Sequence, residues 1–156
     1  PQVYAELYAP IGNGVTIKTK LLNHPGKCLG YRVEYEGRSI CYVTDNELDL
    51  EDSEFYNPFY VKNLINFVQG TDVLITDTTY SDEEYKTKVG WGHSCVGRVV
   101  DLAHEAGVKT LHLFHHDPDQ TDADIDRKLE QASALLKEKG SKTQCIAPTE
   151  GQVFKI

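Results

Sequence analysis

Three residues, His24, Asp45 and His115, share a setting in which chemistry is available: each follows a predicted strand or sits at its C-terminal end. Side chains at the ends of separate strands can converge on one edge of a sheet. Imidazole nitrogen and carboxylate oxygen together are the donors that borderline and hard divalent cations prefer. One such residue carries little weight, because a single strand-end histidine is usually a surface or hydrogen-bonded residue and an aspartate there is usually a turn former. The three together point to a metal centre. Chemistry alone does not separate His115 from His116, whose side chains should point to opposite faces of the strand.

The elements that would position these residues follow from apolar periodicity. Val3 to Tyr8 and Val15 to Leu22 alternate apolar and polar residues around Gly12-Asn13-Gly14, which reads as a hairpin turn. Gly30 to Tyr35 and Ser39 to Val43 form a second strand pair across Glu36-Gly37-Arg38, and Asp45 lies just beyond it. Pro58 to Val68 has helical spacing, Asp72 to Asp77 is a short buried strand, Ser94 to Ala106 is an amphipathic helix, and Val108 to His115 is a strand. A helix with an acidic first turn and a lysine-bearing last turn spans Thr121 to Lys139, and Thr143 to Ala147 and Gln152 to Ile156 read as two short strands. Antiparallel strands followed by αβ alternation predict an α+β domain, a mixed sheet with helices on one face. The acidic residues Glu47, Asp49, Glu51, Asp52 and Glu54 read as a solvated loop without chemistry. His104 and His112 read as structural, Trp91 as a core residue or a wall beside His93, and Tyr31 as packing beneath the site.

Composition narrows the function. The 156 residues accommodate one domain with a real core. With 40% hydrophobic and 26% charged residues the balance is that of a soluble globular protein, no apolar run approaches the ~20 residues of a membrane-spanning helix, and no membrane partner is expected. A formal net charge of −8 argues against a non-specific hold on nucleic acid, whereas a small anionic substrate is compatible if a metal supplies local positive charge. Cys28, Cys41, Cys95 and Cys145 form no Cys-x-x-Cys pair, which fits reduced thiols in a cytoplasmic protein. The chain starts at Pro1 and contains no methionine, so its start is not expected to be a native N-terminus.

The strings Asn23-His24-Pro25-Gly26 with Leu29-Gly30-Tyr31-Arg32, Tyr42-Val43-Thr44-Asp45, Gly92-His93-Ser94 and Leu113-Phe114-His115-His116-Asp117-Pro118 occur in that order. In order and context this set resembles the metallo-β-lactamase superfamily, and within it the phosphodiesterase branch that includes ribonuclease Z. The resemblance runs from about Val15 to the end of the 121–139 helix. It implies that residues 1–156 are the C-terminal part of a single domain, half of a four-layer αββα sandwich whose N-terminal part is missing.

The resemblance also implies roles. His24 would bind one of two divalent cations, His115 the other, and Asp45 would bridge them, with zinc the default metal and manganese the alternative. Asp77 lies where the branch has His-Glu-Ala-Thr, and His93 where it has His-Ser-Thr. A carboxylate that orients an imidazole and stabilises its protonated form is a general-acid arrangement, so Asp77 and His93 are expected to protonate the leaving oxygen after attack by a metal-bridging hydroxide. Asp77 is equally compatible with capping the helix after it.

The superfamily's His-x-His-x-Asp-His motif is absent, so this chain alone should bind metal weakly and be inactive. His24 and Asp45 are only 21 positions apart, which leaves no room for the arm with which ribonuclease Z grips tRNA. The expected substrate is therefore a small phosphodiester, such as a cyclic nucleotide, and not tRNA. Thioester or lactam hydrolysis, and a metal-free regulatory or protein-binding relic, are the competing expectations. A homodimer is left open.

Overall fold

The computed structural model describes residues 8–10 and 12–156, so the expected strand from Val3 lies, but for Tyr8, outside the described residues. Among the described residues seven strands form one sheet in chain order: β1 (Tyr8–Pro10), β2 (Thr16–Leu21), β3 (Leu29–Tyr35), β4 (Arg38–Val43), β5 (Val73–Asp77), β6 (Thr110–Phe114) and β7 (Gln144–Ile146). The β1 to β4 joins are antiparallel. Between β3 and β4 only Glu36 and Gly37 intervene, with φ of 47° and 77°; two successive positive φ values make the primed turn whose twist matches its strands. The joins from β4 to β7 are parallel and need crossovers. These are α1 (Pro58–Val68), then α2 (Asp82–Tyr85) with α3 (Val96–Glu105), then α4 (Asp122–Glu138). Asn57 starts α1 by accepting from Tyr60 N at 3.0 Å, with Pro58 in the first turn where its missing N–H costs nothing.

Parallel crossovers share one hand, which puts the helices on one face of the sheet. There Cys41, Val43, Leu74, Leu111 and Leu113 are fully buried against Leu64 and Val68 of α1, Val99, Val100 and Ala103 of α3, and Ala132 and Leu136 of α4. The alternate residues face the other way. Leu29, Tyr31, Tyr42 and Phe114 on that face are each more than two-fifths exposed, and Tyr31 and Tyr42 are paired across β3 and β4. Tyr31 therefore does not pack beneath the site as expected; it belongs to an apolar sheet face that no helix among the described residues covers. His112, in the same row, is buried, with the Phe154 ring 4.7 Å away. The strand expected at Gln152–Ile156 does not form: Pro148, two residues beyond the end of β7, cannot donate to a ladder and ends the pairing. Among the described residues no helix is long and apolar enough to cross a membrane.

Candidate metal centre

The topology brings the chemistry together. β2, β4, β5 and β6 all run the same way, so their C-terminal ends share one edge of the sheet. His24 lies just past β2, Asp45 just past β4, Asp77 is the last residue of β5, and His115 is the first after β6. His115 Nε2 stands 2.8 Å from Asp45 Oδ1. Both residues have positive φ, 57° and 54°, a region that side chains other than glycine rarely adopt. Strain at two facing positions is what re-aims these side chains off their strands and toward each other. One ligand atom from each of Asp45, Asp77, His93 and His115 falls within 4.8 Å of the others, and the same holds for His24, Cys28 and Asp45. Asp45 is common to both groups. His116 is turned away: its Nδ1 is 2.8 Å from the Lys128 ammonium, and burial with that cation pushes its pKa down to about 4.

His93 enters from the loop before α3, whose N-terminus returns the chain to the same edge. Its ring lies 4.9 Å from that of His115, nearly parallel, and 5.4 Å from that of His24. Its Nδ1 is 2.7 Å from Asp77 Oδ2, and this hydrogen bond holds the His93 pKa above the ordinary imidazole value. Asp77 is fully buried and closely engaged: Oδ2 also accepts from Asn46 N at 3.1 Å, and Oδ1 accepts from Thr79 N at 3.1 Å, the Thr79 hydroxyl at 2.7 Å and Ser94 N at 3.3 Å. A carboxylate so occupied is suited to orienting an imidazole rather than to opening for a cation. It caps no helix; Ser81 caps α2, and Cys95 holds the N-cap position of α3. The Thr79 hydroxyl also lies 3.1 Å from His115 Nδ1, the contact that leaves Nε2 facing Asp45.

The expectation of a solvated acidic loop is corrected at its first two members. Glu47 and Asp49 are buried, 4% and 7% exposed, and only Glu51, Asp52 and Glu54 face solvent. Glu47 accepts three hydrogen bonds of 2.7 Å, from Gly90 N, Gly92 N and the Tyr85 hydroxyl, and so fastens the loop that carries His93. The available signal was Gly90-Trp91-Gly92: both glycines have positive φ, and such a loop exposes amides that need an acceptor. Gly92 is required for a second reason, since a Cβ there would run into the His24 ring and lie 2.7 Å from Pro25 Cδ. Trp91 is 58% exposed, not core, with Lys88 Nζ 4.0 Å from its ring centroid. Beneath the edge, buried Lys128 on α4 donates to Thr78 O at 2.7 Å and Gln120 Oε1 at 2.7 Å, and burial lowers its pKa to about 8. No periodicity marks such a residue, because a helical lysine reads as solvent-facing.

Imidazole and carboxylate donors within one coordination sphere fit divalent cations such as zinc or manganese. A family model described as the β-lactamase superfamily domain matches residues 9–116, more than two thirds of the chain. Ribonuclease Z of Thermoplasma volcanium is 32% identical over 88 residues, which is 56% of this chain and 25% of that protein. Among solved structures, a metallo-β-lactamase fold protein of Bacillus subtilis, YhfI, is similar with a TM-score of 0.66 at 18% identity, over 90% of this chain and 49% of that one. A diphosphatase of the PhnP family is similar with a TM-score of 0.59 at 17% identity, over 97% of this chain and 48% of that one. The chain thus matches about a quarter of the length of the curated relative and about half that of the structural neighbours.

Proposed function

The chain belongs to the β-lactamase superfamily domain family, in its ribonuclease Z-like branch of metal-dependent hydrolases, and from that premise we propose that it forms the C-terminal half of a phosphodiesterase site. The substrate is a small phosphodiester such as a cyclic nucleotide. His24 would hold one cation and His115 a second, with Asp45 placed to serve either, and zinc would be favoured over manganese. Bound divalent cations supply Lewis acidity toward phosphoryl oxygens and make water acidic enough to attack near neutral pH. The chain's own groups do the rest. Asp77 fixes the His93 ring through Nδ1, which leaves Nε2 to hold a proton for the departing oxygen. Thr79 orients His115, and Glu47 keeps His93 in place.

The observation that carries this reading is the meeting of three imidazoles and two carboxylates at one sheet edge, with Asp45 common to both donor groups. A small substrate is supported by the two-residue turn between β3 and β4, which leaves no arm between His24 and Asp45. It is supported too by a cavity of about 270 Å³ beside His24, bordered by Lys27, Phe55 and Tyr60. The reading of a half-domain is supported by the uncovered aromatic sheet face and by a sequence without His-x-His. On its own the chain is then a weak metal binder and a poor catalyst.

The test, made on the full-length protein that contains this half-domain, is hydrolysis of bis(p-nitrophenyl) phosphate, a thioester and a β-lactam, with metal content measured on the same samples. The phosphodiester is expected to be cleaved best, and joint replacement of His24 and Asp45 by alanine to remove both metal and activity. Activity that survives the double replacement overturns the proposal, and preference for the thioester or lactam moves the substrate class.

A further inference from the structure

We propose that Cys28 is a sulfur donor for the cation beside His24, so that this position is built for zinc and against manganese. The inference rests on the metal-centre reading above. Cys28 Sγ lies 3.4 Å from His24 Nδ1 and 3.5 Å from Asp45 Oδ2. Zinc holds nitrogen at about 2.0–2.1 Å, oxygen at about 2.0–2.2 Å and sulfur at about 2.3 Å, so donors at the corners of a tetrahedron around it stand roughly 3.5 Å apart. The two measured separations are those of tetrahedral edges. The chain holds the sulfur there: Leu22 N donates to Cys28 O at 2.9 Å, Lys27 N donates to His24 O at 3.0 Å, and Lys27 itself has a φ of 57°. Gly26 N also approaches His24 Nδ1, at 3.0 Å, so binding exchanges that hydrogen bond for a bond to the cation. The thiol proton passes to solvent as the sulfur lone pair takes up the metal. Thiolate is a soft donor, favoured by zinc and poorly matched to manganese, whereas imidazole and carboxylate alone serve both. Cys41 and Cys95 are buried in the core clusters and Cys145 is on the far strand β7, so Cys28 is the thiol within reach.

Titration of the metal-free protein with Co²⁺ alone tests this without reference to activity. The wild type is expected to show visible d–d absorption together with a near-ultraviolet thiolate-to-cobalt band. Cys28→Ser is expected to keep the d–d absorption, lose the band, and weaken zinc at least about tenfold, the scale of a disturbed coordination shell, with manganese affinity unchanged. Cobalt bound by the wild type without the band, or a band that persists in Cys28→Ser, overturns the sulfur ligand and leaves the metal centre standing. Absence of any d–d absorption in the wild type overturns both. Should Cys28→Ser not fold, alkylation of the wild type decides: zinc must slow iodoacetamide labelling of Cys28 and manganese must not, and equal labelling with zinc or manganese overturns the assignment.

Discussion

His93 depends on one neighbour to keep its proton, since the Asp77 hydrogen bond is the main cause of its raised pKa. As the proton donor it acts when protonated, so rate falls as pH rises through its pKa. Asp77→Asn removes the carboxylate, lowers that pKa and moves the alkaline limb of the pH–rate profile to lower pH; an unmoved limb removes His93 from the role. His93→Ala should cost about 10²–10⁴ in kcat, the usual worth of a positioned acid. Glu47 works at one remove. Glu47→Ala strips the acceptor from two amides and a phenol, and at about 1–3 kcal/mol for each buried donor left unpaired it should destabilise by about 3 kcal/mol or more in urea unfolding. His24, Asp45 and His115 drew notice because an imidazole or carboxylate at a strand end already suggests its chemistry, whereas Asp77 and His93 were singled out only through the resemblance of the strings around them; the fold brings all five to one edge. Glu47 was not legible, because its partners are backbone amides of a loop far along the chain, and an acidic run offers no sign of which member turns inward.

Strands and helices were legible wherever one face is buried, and the exceptions have local causes: Pro148 ends the pairing at β7, and α2 has too few residues for a period to show. Two elements carry predictions. In the loop before α3, Gly92→Ala would put a methyl group against His24 and Pro25 at a φ of 92°, so metal binding should fall with the fold retained, as read by calorimetry beside circular dichroism. At the opposite end of the sheet Asp72 ties β5 to its neighbours: its buried carboxylate accepts from Lys109 Nζ at 2.8 Å, Ser39 N at 2.8 Å and Arg38 at 3.3 Å, and Lys109 foremost holds its pKa below the aspartate value. A depressed folded pKa gives stability that is present above the unfolded value of about 3.9 and is lost as pH falls through the folded one. Asp72→Asn should therefore lower the melting midpoint at pH 7, with the gap to wild type closing in acid. A gap independent of pH would show that packing, not charge, sets the contribution.

At the scale of the whole molecule, helices among the described residues cover the sheet on one side only. Leu29, Tyr31, Tyr42 and Phe114 lie in rows that alternate with the buried core residues of the same strands, and so share the face opposite the helices. On the proposed half-domain reading this exposed apolar face is one that the rest of the domain would cover. The sequence did not show this, and only the pairing Tyr31–Tyr42–Ile75–His112 aligns these positions into one row. The chain by itself should therefore bind an apolar dye such as anilinonaphthalene sulfonate in its folded state and self-associate on gel filtration as concentration rises. Replacing Tyr31 and Tyr42 by threonine, which keeps strand preference while removing two rings, should reduce both effects with little loss of melting midpoint, since neither ring is in the helix-covered core. A folded chain that ignores the dye and stays monomeric would mean that this face is made for water, and the half-sandwich architecture would have to be given up even if the metal centre stood.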